Sequence, residues 1–230
     1  MTTINERISI IQSRIHEAVL KSPWPDSDVE LIAVSKRFSP DDIRNAAKAG
    51  IKIFGESYLQ EAKEKISQLL DLHVQWHFVG HLQRNKAKEA VRLFDLIHSV
   101  DSIALGEELN KQAENIGKLQ KILIQVNLGA EPQKSGISPT DLVALLLRLS
   151  DLPHIKIQGL MTIPPICETP EKAKIYFHHL RKVADQIHKL NLSNVSMREL
   201  SMGMSEDFEE AILEGATYVR IGTAIFGERI

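Results

Sequence analysis

Cysteine is nearly missing from this chain: Cys167 is the single one among 230 residues. No internal disulfide can form, which fits a reducing compartment. Cys167 sits in Pro164-Pro-Ile-Cys-Glu168 without a cationic neighbour in sequence, so it reads as an incidental thiol rather than a nucleophile. An excess of either charge is also lacking, with 28 Lys and Arg against 30 Asp and Glu and a net charge of -2. Without a global basic field, nucleic acid is not expected as a partner. Long apolar runs are absent too. The longest, Leu142 to Leu149, is interrupted by Arg148 and falls far short of a membrane span. Glu6, Arg7, Arg14 and Glu17 break up the N-terminus, so no signal peptide is read there. No membrane association and a cytoplasmic location are expected.

What the chain does contain is regular alternation. Ile4, Ile8, Ile11, Ile15 and Val19 recur at helical spacing and predict an amphipathic N-terminal helix over about 4–22. Strand-like runs then follow at 31–36, 51–57, 74–80, 96–100, 122–128, 156–163, 198–202 and 218–226, with helical stretches between them. Ser39-Pro40-Asp41-Asp42 and Ser138-Pro139-Thr140-Asp141 carry helix-start signatures, Thr169-Pro170-Glu171 a weaker one, and Gly50 and Gly215 sit where helices should stop. Strict β–α alternation with eight strands predicts a parallel sheet with right-handed crossovers. The fold class is therefore α/β, a single (β/α)8 TIM-type barrel occupying 1–230 with the extra N-terminal helix. The rival, an open doubly wound sheet, is disfavoured because no Gly-x-Gly-x-x-Gly follows the first strand. The chain stops directly after the eighth strand at Ile230, so no second domain is expected.

The chemistry-bearing residues fall at strand ends. Lys36 closes Leu31-Ile-Ala-Val-Ser-Lys36, at the barrel face where such folds place their sites. An amine at the end of a buried strand is only reluctantly cationic and can condense with an aldehyde, although most strand-end lysines simply reach for solvent. Arg220, flanked by Val219 and Ile221, must point to the barrel interior or to the helices, and in either place it needs a partner. A salt bridge to a core carboxylate and a ligand role weigh evenly there. Gly222-Thr223 and Ser201 to Ser205 follow or end the last two strands, whose loops form the common phosphate site of the fold. Ser205 also reads as the cap of a helix over 206–214, with Glu206 and Asp207 placed to repel an anion unless they turn away. His73, His77 and His81 are four apart, but on a strand that spacing spreads them too widely for one metal ion, and no metal site is expected. An amine, hydroxyls, close backbone N–H groups and an arginine together suit a phosphorylated aldehyde, pyridoxal 5'-phosphate.

Several segments in fixed order resemble the pyridoxal-phosphate homeostasis protein family, the YggS/PROSC-like proteins. They are Ala33-Val-Ser-Lys36, Phe54-Gly-Glu-Ser-Tyr58, Trp76-His-Phe-Val-Gly-His-Leu-Gln-Arg-Asn-Lys86, Val126-Asn127 with Glu131-Pro-Gln-Lys-Ser-Gly136, Gly159-Leu-Met-Thr162, Leu200-Ser-Met-Gly-Met-Ser205 and Val219-Arg-Ile-Gly-Thr-Ala-Ile-Phe-Gly227. The resemblance implies a barrel similar to the N-terminal domain of alanine racemase. It also implies a covalent internal aldimine between pyridoxal phosphate and Lys36, and Arg220 beside the pyridine nitrogen. Ser201 or Ser205, with the backbone of Gly222 and Thr223, would form the phosphate cup, and Met161 and His77 would line the pocket. Ser57 would also belong to the cofactor-binding set; it stands where the family usually has asparagine, and its shorter side chain without the amide leaves the contact to the ring hydroxyl open.

The implied function is non-catalytic binding of the cofactor in intracellular vitamin B6 homeostasis. The expected partners are pyridoxal phosphate itself and either cofactor-dependent apoenzymes or a regulatory protein, around a monomer. A cationic arginine at the ring nitrogen disfavours its protonation, and hence the carbanion chemistry of a racemase. The alternatives are a racemase or decarboxylase using the same cofactor, for which Tyr58 is a candidate proton donor, and a cofactor-free lysine aldolase.

Overall fold

The computed structural model describes residues 2–129, 131 and 133–228. Ala130 and Pro132 of the quoted 129–136 segment, and Ile230, lie outside the described residues. Helix α1 (Ile4–Lys21) starts at a capping box in which Thr3 Oγ1 accepts the Glu6 N–H at 3.3 Å and Glu6 Oε2 accepts the Thr3 N–H at 2.7 Å. The barrel follows in order: β1 (Glu30–Val34), α2 (Pro40–Lys48), β2 (Ile53–Glu56), α3 (Leu59–Gln68), β3 (Gln75–Phe78), α4 (Ala87–Leu93), β4 (Leu96–Val100), α5 (Ile103–Glu114) and β5 (Gln120–Gln125). The second half comprises α6 (Leu142–Leu149), β6 (Ile155–Met161), α7 (Pro170–His188), β7 (Val195–Ser201), α8 (Phe208–Leu213), β8 (Tyr218–Ile221) and α9 (Thr223–Phe226).

All eight strands pair in parallel, and β8 returns to β1 with Ile32 beside Arg220, so the sheet closes. Closure removes the exposed edge that an open sheet would carry. Strand alternation then sorts the side chains into two cores. Ala33, Phe54, Ile97, Ile122, Ile124 and Leu160 pack outward against the helices. Leu96, Leu123 and Met161 meet inside the barrel with Tyr218. Helix α1 lies against α2, α8 and α9 and buries Ile8, Ile11, Ile15, Ala18 and Val19. Each buried isoleucine contributes about 1.5–3 kcal/mol. The half-exposed Arg14–Glu209 pair at 2.7 Å contributes at most about 1 kcal/mol, so the apolar stripe docks this helix.

The sequence-based strand ranges run past the ladder at the carboxyl end. β1 stops at Val34 rather than Lys36, and β2 at Glu56 rather than Ser57. β8 stops at Ile221, and the expected strand residues 223–226 form α9 instead. Apolar alternation continues there, but the backbone leaves the sheet, and Gly222 O accepts the N–H groups of Ile225 and Phe226 at 3.0 Å. β7 begins earlier than expected, at Val195.

Candidate functional site

A cleft of about 570 Å³ opens at the carboxyl ends of the strands. Val34, Lys36, Ser57 and Val79 line it from the β1–β3 side, and Ser205, Arg220, Gly222 and Thr223 from the β7–β8 side. Ile163 to Cys167, Pro170 and Met204 supply an apolar wall, interrupted by Glu168 and Thr169. Lys36 lies two residues beyond β1, in the turn before α2. Val34 and Lys36 share the inward phase, while Ala33 packs outward. A smaller cleft of about 350 Å³ at the opposite barrel end, between α1 and the starts of β1 and β2, holds none of the expected residues.

The late loops shape an anion-sized corner. Gly203 has φ +87, and a Cβ there would lie 2.6 Å from Ala211 Cβ, so only glycine lets this loop cross α8. A turn over 204–207 precedes α8, and the N-cap position passes to Asp207, whose carboxylate turns back to accept the Met204 N–H at 2.6 Å. The expectation that Ser205 caps a helix starting at Glu206 is thereby corrected. Ser205 instead faces the cleft, and its Oγ accepts the Thr223 hydroxyl at 3.2 Å. A Cβ on Gly222 would lie 3.3 Å from Val34 O, so glycine keeps this wall open. The first N–H groups of α9 have no partner within the helix. Glu206 and Asp207 both line the cleft. Burial raises the Asp207 pKa, against the opposing effects of the Met204 N–H and the positive charge of Arg220.

Arg220 points into the barrel and is 5% exposed. Among the described residues its guanidinium does not bond a core carboxylate. Nη1 donates to Ser201 Oγ at 2.6 Å and Nη2 to Thr162 O at 2.9 Å. Burial lowers its pKa to about 10, with Asp207 opposing, so it remains cationic at neutral pH.

His77, Met161 and Ser201 are not on the cleft surface; they lie deeper, buried on the barrel side of Arg220. The cause is register. Ser201 sits beside both Met161 and Tyr218, and Arg220 is two residues further along β8, one inward-facing layer higher. Below Arg220 a polar column runs down the barrel. His98 Nδ1 lies 2.9 Å from Ser201 Oγ, and His98 Nε2 lies 3.1 Å from His77 Nδ1. Burial pushes His77 down to about 3, helped by Lys121. Burial holds His98 well below its ordinary value, helped by His77 and Arg220. Each neutral ring has one N–H and one acceptor, so the column bonds with a single polarity, from Ser201 toward His77 or the reverse.

His98 escaped the reading of the sequence, although a lone imidazole in the apolar run Leu96-Ile-His-Ser-Val100 was a visible signal. His77 faces inward, whereas His81 lies exposed beyond β3 and bonds Ser135 Oγ at 3.0 Å. Also unforeseen is a buried cluster behind Lys36, in which Lys65 Nζ donates to Glu56 Oε1 at 2.9 Å and to Glu61 Oε1 at 2.6 Å. No helix among the described residues is long and apolar enough to cross a membrane.

Two amines, Lys36 and Lys134, four hydroxyls, glycine-shaped backbone and a buried cation thus face one cleft, a donor set suited to a small phosphorylated aldehyde. Residues 17–230 match the family model for the alanine racemase N-terminal domain. The chain is 43% identical to the pyridoxal phosphate homeostasis protein of Aquifex aeolicus, over 97% of both chains. It is 42% identical to that of Pseudomonas aeruginosa, over 100% of this chain and 97% of the relative. PipY of Synechococcus elongatus, solved with pyridoxal phosphate bound, superposes with a TM-score of 0.87 at 42% identity, covering 98% of this chain and 100% of that one. Alanine racemase of Clostridium difficile shares the barrel at a TM-score of 0.73 and 14% identity, a likeness of fold alone. On its barrel, its cleft and this full-length similarity, the chain belongs to the pyridoxal phosphate homeostasis protein family.

Proposed function

We propose that this chain binds pyridoxal 5'-phosphate in the cleft, covalently through Lys36, and serves its homeostasis in the cytoplasm as a single-domain, non-catalytic carrier. The observation that carries the reading is convergence: Lys36 from the first barrel unit meets Arg220, Gly222 and Thr223 from the last in one cleft. Condensation of an amine with an aldehyde releases water and leaves both partners at the same oxidation level. When bound, the cofactor supplies an electron-accepting ring. Ser205, Thr223, Gly222 and the first N–H groups of α9 would hold the phosphate, and Ser57 would stand near the ring. Arg220 would face the ring nitrogen, and its cation disfavours a proton there, which weakens the ring as an electron sink. His77, His98 and Ser201 would act through Arg220 rather than on the ligand.

Purified protein mixed with pyridoxal phosphate should gain a visible absorbance, and borohydride reduction should leave a pyridoxyl mass on the Lys36 peptide. Lys36→Ala should show neither. A wild-type protein that stays colourless and unmodified refutes the reading. The racemase or decarboxylase alternative requires a second proton donor, and Tyr58 is half exposed and off the cleft lining. Solvent deuterium appearing at Cα of amino acids incubated with the loaded protein would restore that alternative.

A further inference from the structure

The turn carrying Lys36 is anchored on both sides from outside the barrel. Before it, Ser35 Oγ donates to Glu56 Oε1 at 2.7 Å, and the Ser35 carbonyl accepts from Lys65 Nζ at 2.7 Å. After it, the Arg37 N–H donates to Glu61 Oε1. Arg37 has φ 66, a left-handed conformation that a residue with a side chain keeps only where its surroundings hold it. Lys65 joins the two anchors, because its three protons go to Ser35 O, Glu56 Oε1 and Glu61 Oε1. None of Glu56, Glu61 and Lys65 lines the cleft.

A buried ion cluster is a poor way to gain stability alone, since apolar side chains of similar volume commonly do as well. Glu56 is fully buried, and among the described residues its second oxygen, Oε2, has no hydrogen-bond partner, a further cost that packing alone would not select. What the cluster does achieve is directional. Ser35 and Arg37 are held from the helix side, so the residue between them projects toward the cleft.

We propose that Glu56, Lys65 and Glu61 are positioning residues that clamp the Ser35–Arg37 backbone and so aim the Lys36 amine into the cleft. The proposal rests on the reading of Lys36 as the aldehyde acceptor. Glu61 is the member to change, being partly exposed and the acceptor for Arg37. In Glu61→Ala the visible absorbance should appear about tenfold more slowly on mixing with pyridoxal phosphate, as a misaimed nucleophile would react. In the unliganded protein, exchange of the Arg37 amide should accelerate by a similar factor. Glu61→Gln retains an acceptor oxygen and should restore both rates to within about threefold of wild type. Circular dichroism and thermal midpoints establish that both variants are folded. A folded Glu61→Ala protein that modifies Lys36 at the wild-type rate overturns the proposal, as does an Arg37 amide that exchanges equally fast in all three proteins. If wild type fails to modify Lys36, the functional reading fails, and the Arg37 exchange still decides whether the clamp exists.

Discussion

Lowering the pH should destabilise this protein through two histidines locked inside its barrel. His77 and His98 are 1% and 0% exposed, and burial depresses both. In the unfolded chain each returns to about 6.5. As pH falls below that value, the unfolded state takes up protons that the folded state refuses. The stabilising contribution is therefore whole above about 6.5 and drains away toward the folded value, about 3 for His77. Between pH 7.5 and 5, His77 costs about 2 kcal/mol, and His98, held down by the same burial, adds a cost of the same sign. That is a large part of the roughly 5–15 kcal/mol holding an ordinary domain together. His98→Gln keeps one donor and one acceptor near Ser201 and His77 but cannot titrate, so it should lose less stability than wild type over this range. Urea unfolding at half-unit pH steps would measure both slopes. Burial also raises Glu56 and Asp207, whose contributions have the opposite sign and cancel in the comparison. Equal slopes in wild type and His98→Gln would refute the account.

The remaining predictions concern the cleft wall and the buried ions. Gly222→Ala places a methyl 3.3 Å from Val34 O and should weaken pyridoxal phosphate binding about tenfold, near 1.4 kcal/mol, in a spectroscopic titration. A thermal midpoint lowered to the same extent would mark the defect as one of folding instead. Lys65→Met leaves the Glu56 carboxylate buried without its cation and should cost about 3–5 kcal/mol in urea unfolding. A loss below about 1 kcal/mol would mean that water or a proton already compensates Glu56.

Much of the barrel was legible because its signals are local. Ser39 with Asp42 forms the expected capping box, Gly50 and Gly215 end helices at positive φ, and β4 matches its expected range residue for residue. The strand ends were not legible, because a strand stops where its ladder partner stops, and that partner lies elsewhere in the chain. Hence Lys36 belongs to a turn and 223–226 to a helix. Ser205 kept its place at the cleft but lost its capping role to the turn over 204–207.

By itself the sequence determined the β–α alternation, the fold class and the short set of residues at the carboxyl ends of the first and last strands, because periodicity and turn chemistry act over a few neighbours. Depth was decided by the tertiary structure alone. Closing eight strands placed His77, Met161 and Ser201 deeper in the barrel than Arg220, brought His98 into their column, and set Glu56 and Lys65 behind the turn of Lys36. These relations depend on stagger between strands far apart in the chain, and no local pattern of residues encodes that stagger.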